Sequence, residues 1–288
     1  MQRAAKSASM RRQGLFIAIG LLAFTPFAQA QTGPQRQVRI IVPFAAGGSA
    51  DVLARLTAQA LAARWNQTVV VENRLGAGSH VGAEHVARSP GDGHTLLLGS
   101  IGIHAASSVY RNLTYSPLTD LSVVTMLAEF PNVIIVNPSV PVQNLRELVA
   151  MARARPGEIT FGSAGNATST HLAGELFMPV TGLRLVHVPY RGSSQALPDV
   201  PTAAEAGVEG YVATAWFTTA APGLARAPLL QRLNEDLRAV LTAPASRDRF
   251  VTLGATPMAT NLPESTAFLA SEAIEWTRVV DSAGIRLD

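Results

Sequence analysis

The stretch from Val38 to Asp51 constrains the fold more than any other part of this chain. Val38–Val42 is an apolar run with β-branched residues, which reads as a buried strand. Pro43 and Phe44 follow, and then Ala45 to Ala50 carry no bulky side chain. Glycines 47 and 48 permit a tight turn there and a close backbone approach to a ligand. Ser49 or Asp51 is suited to cap a helix that runs to about Ala63. A strand that feeds a capped helix through such an elbow turns free amides and a positive helix end toward solvent, which is an anion-binding geometry. The elbow alone leaves two readings open, a ligand site and a plain connection.

The pattern repeats along the chain. Val38–Val42, Thr68–Val71 and Thr95–Leu98 are short apolar runs suited to buried parallel strands, with helices expected at 52–64 and about 81–88. This is repeated βαβ logic, an open parallel sheet with helices on both faces. Leu121–Leu127 and Val133–Val136 read as two strands around Pro131, and Asn144 caps a helix that Pro156–Gly157 stops. After the strand Ile159–Phe161 comes a second small-residue elbow, Gly162–Thr168, leading into a helix from Ser169. Leu185–Val188 is a further strand. Thr202–Glu205 forms a small capping box, Tyr211–Ala220 a strand, and Leu229 to Leu241 one face of an amphipathic helix. Pro263 opens a final helix with Phe268, Ile274, Trp276 and Val280 as packing residues.

The ends and the composition set bounds. Arg3, Lys6, Arg11 and Arg12 precede an apolar run, Gly14–Phe24, and Ala28–Gln29–Ala30 is a small-x-small cleavage site. Residues 1–30 therefore read as a signal peptide cut after Ala30, with Sec and twin-arginine export both open. The chain holds 23 basic and 20 acidic residues; four of the basic ones and none of the acidic lie in the first thirty, so the exported part is 19 against 20, a net of −1. Nothing remains of a basic patch, and no nucleic-acid partner is expected. The absence of cysteine excludes disulfides, thiolate metal sites and a cysteine nucleophile.

Catalytic chemistry is poorly represented. The six histidines lack metal-ligand spacing, Gly162–Ser163–Ala164–Gly165 lacks the spacing of a nucleophile elbow, and Asp51, Glu84 and Glu175 read as cap or surface carboxylates. Gly76–Gly82 resembles a dinucleotide turn, but it follows the second strand and no acidic residue closes a ribose site. An α/β oxidoreductase built on that turn is the enzyme alternative, and the placing of the glycines argues against it. The reading is a binding protein, not an enzyme, without cofactor or metal. Two elbows and the strand end at Ser100, rich in Gly, Ser, Thr and Asn, suit a small carboxylate held by amides and hydroxyls. His171 falls on the first turn after the second elbow and belongs with that site.

Several motifs in fixed order carry a family resemblance. Ile41–Asp51, Val70–Gly78, Asp92–Ser100, Phe161–Asn166 with His171–Glu175, Val186–Gly192 and Leu197–Thr202 resemble the substrate-binding proteins of tripartite tricarboxylate transporters, the Bug family. The resemblance implies a periplasmic-binding-protein-like (type II) α/β clamshell of two domains with mainly parallel open sheets. It implies residues 31–126 plus 198–288 as the first domain and 127–197 as the second. It implies a monomer in the periplasm that captures a small organic carboxylate for membrane transporter subunits or a sensor kinase ectodomain. Carried onto this chain, the ligand-binding residues are Phe44, Gly47, Gly48, Ser49 and Asp51 in the first elbow, Ser163, Gly165, Asn166, Thr168 and Ser169 in the second, and Ser100 at the third strand end.

One departure stands out. Family members place a helix, a strand, and a further helix and strand between the Pro-Tyr-Arg/Lys-Gly-Ser motif and Leu-Pro-Asp-Val-Pro-Thr. Here Ser194–Gln195–Ala196–Leu197 runs directly into Pro198–Asp199. On the order of 40–50 residues are absent, the size of a βαβ unit. The second domain is then expected to be incomplete, with residues 193–201 bridging the domains as a loop. A non-functional or partner-binding remnant of such a receptor is the further alternative.

Overall fold

The computed structural model describes residues 34–104, 110, 112–137, 139–192 and 214–283. The expected signal peptide, the expected bridge at 193–201 and the expected capping box at 202–205 lie outside the described residues. The first part of the chain runs β1 (Val38–Val42), α1 (Ser49–Trp65), β2 (Val69–Asn73), α2 (His80–Ala87), β3 (Thr95–Ser100), α3 (Ile101–His104) and β4 (Leu121–Pro131). It continues with α4 (Leu145–Ala154), β5 (Thr160–Ser163), α5 (Ser169–Thr181) and β6 (Val186–Pro189). The last part holds β7 (Thr214–Pro222), α6 (Ala227–Thr242), α7 (Pro244–Thr252), β8 (Thr256–Pro257) and α8 (Leu262–Ala283).

Six strands form the main sheet in the order β2-β1-β3-β7-β4-β8. β1 pairs parallel with β2 and β3, whereas β7 runs antiparallel between β3 and β4. The sheet is therefore mixed where mainly parallel sheets were expected. The physical reason is that β7 enters from beyond the second elbow and inserts against the βαβ direction, which a sequence pattern of apolar runs does not encode. A second sheet holds two parallel strands, β5 and β6, among the described residues.

The core explains the stability of the main sheet. Val38, Ile40, Ile41 and Val42 are at most 2% exposed, and each such side chain contributes about 1.5–3 kcal/mol on burial. One face of β1 packs with Leu53, Leu61, Phe217, Leu237 and Phe250; the other packs Ile41 with Val86, Leu97 and Ile103. Helices thus cover both faces, as the βαβ pattern demands. Asp236 of α6 fastens α1 by accepting from the Trp65 indole at 2.8 Å and the Arg64 guanidinium at 2.6 Å. A separate cluster of Leu145, Ala152, Phe177 and Leu183 joins α4 to α5 beside the two-stranded sheet.

Four local expectations are corrected. Leu121–Pro131 is one strand, and its terminal Pro131 pairs with Thr214, where a missing N–H is tolerated. Val133, placed on a second strand by the pattern, is 61% exposed. Helix α1 is capped by Gly48 rather than by Ser49 or Asp51. Ile274 is 59% exposed, because Trp276 and Val280 form the buried stripe of α8 and a residue two positions from Trp276 turns to the opposite face. Helix α7, opened by Pro244, was not legible.

Candidate functional site

Asp51 organises the first elbow. It sits in the first turn of α1, 3% exposed, and its Oδ2 accepts from the Gly47 amide at 3.0 Å and from Arg55 Nε at 2.9 Å. Its Oδ1 accepts from Asn73 Nδ2 at 2.9 Å, and the same amide donates to the Phe44 carbonyl at 3.0 Å. The end of β2 therefore clamps both ends of the elbow. Burial opposes ionisation of Asp51, but hydrogen bonds from Arg55, Gly47 and Asn73 and the Arg55 charge outweigh it and hold the carboxyl below its ordinary range. The side chain faces inward, so its role in this geometry is to shape the backbone. Gly47 and Ser49 are exposed and Gly48 is half-buried.

The second elbow is also held by its own polar groups. Thr168 Oγ1 donates to the Gly165 carbonyl at 2.7 Å, and the Ala164 amide donates to Thr170 Oγ1 at 2.9 Å. Ser163 Oγ, 1% exposed as a residue, accepts from the Gly165 amide at 3.1 Å. His171 is 5% exposed, and its Nδ1 accepts from the Ala167 amide at 2.9 Å. That bond pins Ala167 at φ +58, a left-handed conformation unusual for a residue with a Cβ. Ser169 is half-buried at the start of α5.

Between the elbows lies a cavity of about 440 Å³. Its walls are four loops: Pro43–Phe44 after β1, Leu75–Ser79 after β2, Ala164–Asn166 after β5 and Pro189–Arg191 at the end of β6. Each follows the carboxyl end of a parallel strand, where open α/β sheets collect ligands. Of the residues expected from the sequence, Phe44, Gly165 and Asn166 line the cavity. Gly47, Gly48, Ser49, Asp51, Ser163, Thr168, Ser169 and His171 stand behind or beside the lining. Ser100 is buried at the end of β3, and its hydroxyl has no hydrogen-bond partner among the described residues.

The loop after β2 was missed as part of this site. Gly76, Ala77, Gly78 and Ser79 have φ of +132, +44, +61 and +89, four consecutive residues in the positive half of backbone space. For Ala77 and Ser79 this is strain, which persists only where the surroundings over-determine it and which gathers at ligand sites. A Cβ on Gly78 would collide with the Tyr110 hydroxyl and stand 2.9 Å from the Asn166 carbonyl, so a side chain there would push the two jaws apart. A Cβ on Gly192, after β6, would stand 2.9 Å from Ala45 of the first elbow, a second place where the two sides of the cleft touch. The signal was present, since these glycines also follow a strand end; the sequence reads them as a dinucleotide-like turn and as part of the Val70–Gly78 motif, without a ligand role. Tyr190 and Arg191, which bring an aromatic ring and a cation to the rim, had the same signal.

Two α/β lobes with a cleft at the carboxyl ends of parallel strands define a solute-binding receptor. The chain belongs to the tripartite tricarboxylate transporter family receptors, whose family model matches residues 53–197 and 194–285. It is 33% identical to Protein BugT of Bordetella pertussis over 317 residues, covering 95% of this chain and 97% of that one. Among solved structures it is similar to R. palustris Rpa4515 with adipate, at 32% identity and a TM-score of 0.83, covering 88% of this chain and 99% of that one. It is likewise similar to the periplasmic binding protein BugD, at 28% identity and a TM-score of 0.80, covering 88% and 100%. The family and these neighbours are receptors, not enzymes.

The matches also bear on the departure after Leu197. The family model is matched in two pieces that share residues 194–197. The BugT alignment spans 317 positions but takes in 95% of 288 residues, so about 43 of its positions hold no residue of this chain.

Proposed function

We propose that this chain is a periplasmic receptor that closes on a small organic carboxylate and presents it to a membrane transporter or to the ectodomain of a sensor kinase. The observation that carries the reading is the cavity itself. Phe44 from the first elbow, Gly165 and Asn166 from the second, the strained Gly76–Ser79 loop and Arg191 all face one space of about 440 Å³. Amides at two elbows and a guanidinium at the rim suit an acid with a short apolar body. Family membership supports the periplasmic setting. The neighbours solved with adipate and with malate support the ligand class.

Titration calorimetry of the chain from Gln31 against adipate, malate, citrate, glutamate and benzoate tests the reading. At least one acid is expected to bind with a 1:1 isotherm. A folded protein that binds none of them, and nothing from a wider acid panel, would overturn it.

A second reading is a receptor whose shortened second lobe no longer grips. The β5–β6 sheet favours it, because it has two strands among the described residues and two strands are marginal without further neighbours. The same titration separates the two readings.

A further inference from the structure

Behind the second elbow the side chains of His171 (α5) and His187 (β6) stack face to face, with ring centroids 3.9 Å apart and planes 20° from parallel. Each ring serves the elbow through one nitrogen. His171 Nδ1 accepts the Ala167 amide, so its proton resides on Nε2, which faces Glu175 Oε1 at 3.5 Å. His187 Nε2 lies 2.6 Å from Ser163 Oγ. That hydroxyl has one proton and two places to put it, the imidazole nitrogen or the Gly165 carbonyl at 3.1 Å.

The chemistry of this arrangement is directional. A proton added to His171 at Nδ1 removes the acceptor of the Ala167 amide, and Ala167 is fully buried in a left-handed conformation. An N–H on His187 Nε2 turns the Ser163 hydroxyl proton onto Gly165, whose amide already leans on the same oxygen. Two imidazolium rings at 3.9 Å repel, and among the described residues Glu175 from the same helix is the counter-charge beside them. Other groups do not compensate. β7 faces α5 with Trp216, on which His104 stacks. α8 brings Glu272, whose Oε2 already accepts from the Trp216 and Trp276 indoles at 2.6 and 2.9 Å. β5 brings Phe161 and Ser163, and the end of β6 brings Tyr190 and Arg191 toward the cleft.

We infer that His171 and His187 are positioning residues that hold the second elbow in its gripping shape only while both are neutral, so that the second jaw is an acid-released clasp. The inference rests on the elbow being half of the proposed carboxylate site. The direction agrees with the environment: burial first, then the neighbouring His171 charge, push His187 down to about 4, with Glu175 opposing. An unfolded imidazole takes up a proton near pH 6.5, well above that value. The contribution of neutral His187 is thus complete above about pH 6.5 and lost as the pH falls toward 4.

The test uses the chain from Gln31 and a readout that needs no ligand: the hydrogen-exchange protection factor of the Ala167 amide at pH 7.5 and pH 4.0, referenced to amides of β1. In the wild type it is expected to fall at least tenfold between the two. In His171→Asn, whose Oδ1 replaces Nδ1 as a non-titrating acceptor, it should fall severalfold less than in the wild type, because only the His187 contribution remains. His187→Gln keeps a nitrogen against Ser163 but removes the second cation, and should shift the loss of protection to lower pH. Adipate affinity measured on the same proteins should follow the same order; the ligand's own protonation acts equally on all of them. A wild-type protection factor that stays constant to pH 4.0, or one that falls equally in His171→Asn, overturns the inference. Failure to bind adipate with the amide behaving as expected would instead count against the carboxylate site.

Discussion

Replacing Asp51 by Asn separates what the elbow's carboxylate does from what its arginine does. The substitution keeps size and one acceptor but removes the charge and turns an amide donor toward Gly47 or Arg55. Two bonds at Oδ2 are lost, those from the Gly47 amide and Arg55 Nε. Hydrogen bonds to a charged group contribute about 1.5–3 kcal/mol when dry. Here Gly47 is exposed and the Arg55 side chain is 54% exposed, so water replaces part of each bond and about 1 kcal/mol apiece is the fitting figure. Removing a negative charge from the first turn of α1 adds about 0.3–1 kcal/mol. The sum is about 2–3 kcal/mol, which for a chain of this size lowers Tm by about 5–10 °C. Arg55→Ala loses the half-exposed pair with Asp51 and the exposed bond from Arg55 Nη2 to Asn73 Oδ1, and should cost about 1 kcal/mol or less.

Thermal denaturation at pH 7 measures both variants. Because the Asp51 carboxyl is held below its ordinary value of 3.8, its contribution is present above that value and is lost as pH falls through the lower folded one. The gap between wild type and Asp51→Asn should therefore close in strong acid. If Asp51→Asn melts within 2 °C of Arg55→Ala at pH 7, the carboxylate does not hold the elbow as described.

Two further outcomes are expected. Gly48→Val should keep the melting temperature within a few degrees, because Gly48 has an ordinary φ of −77 and only the Ala45 carbonyl at 3.6 Å near its missing Cβ, while carboxylate affinity should drop at least tenfold by calorimetry; unchanged affinity would remove the first elbow from the site. Inserting a family-like βαβ segment after Leu197 should raise Tm and sharpen the transition by giving the β5–β6 sheet further neighbours. Equal melting with a single transition in both proteins would show that the shortened lobe is already complete.

What the sequence disclosed follows from which forces are local. β1 and β3 were legible because both faces of a central parallel strand are buried, which leaves an uninterrupted apolar run; β2, half-buried at the sheet edge, shows itself by its three valines. The elbows were legible because small residues after a strand have few other uses. What escaped depends on long-range partners. Pro131 reads as a break, yet it closes a strand whose partner, Thr214, is 83 positions away. Asp51 reads as a cap or a ligand contact, and only the placing of Asn73 and Arg55 around it turns it inward. His187 carries no local signal for its stacking on His171, because α5 and β6 meet only in the fold. Tyr190 and Arg191 belong to the Val186–Gly192 motif, yet nothing local points them to the cleft, since only the pairing of β6 with β5 brings that strand end there.

The strand order has a consequence for how the chain is made. β7 spans Thr214–Pro222 and lies between β3 and β4, which are complete by Pro131. A nascent chain therefore carries two central strands with a gap between them while the next 91 residues are synthesised. Each waiting strand has an unpaired edge, and the sheet cannot close until its last central member arrives. The central sheet is thus completed only when residues 214–222 have been made, in the last third of the sequence.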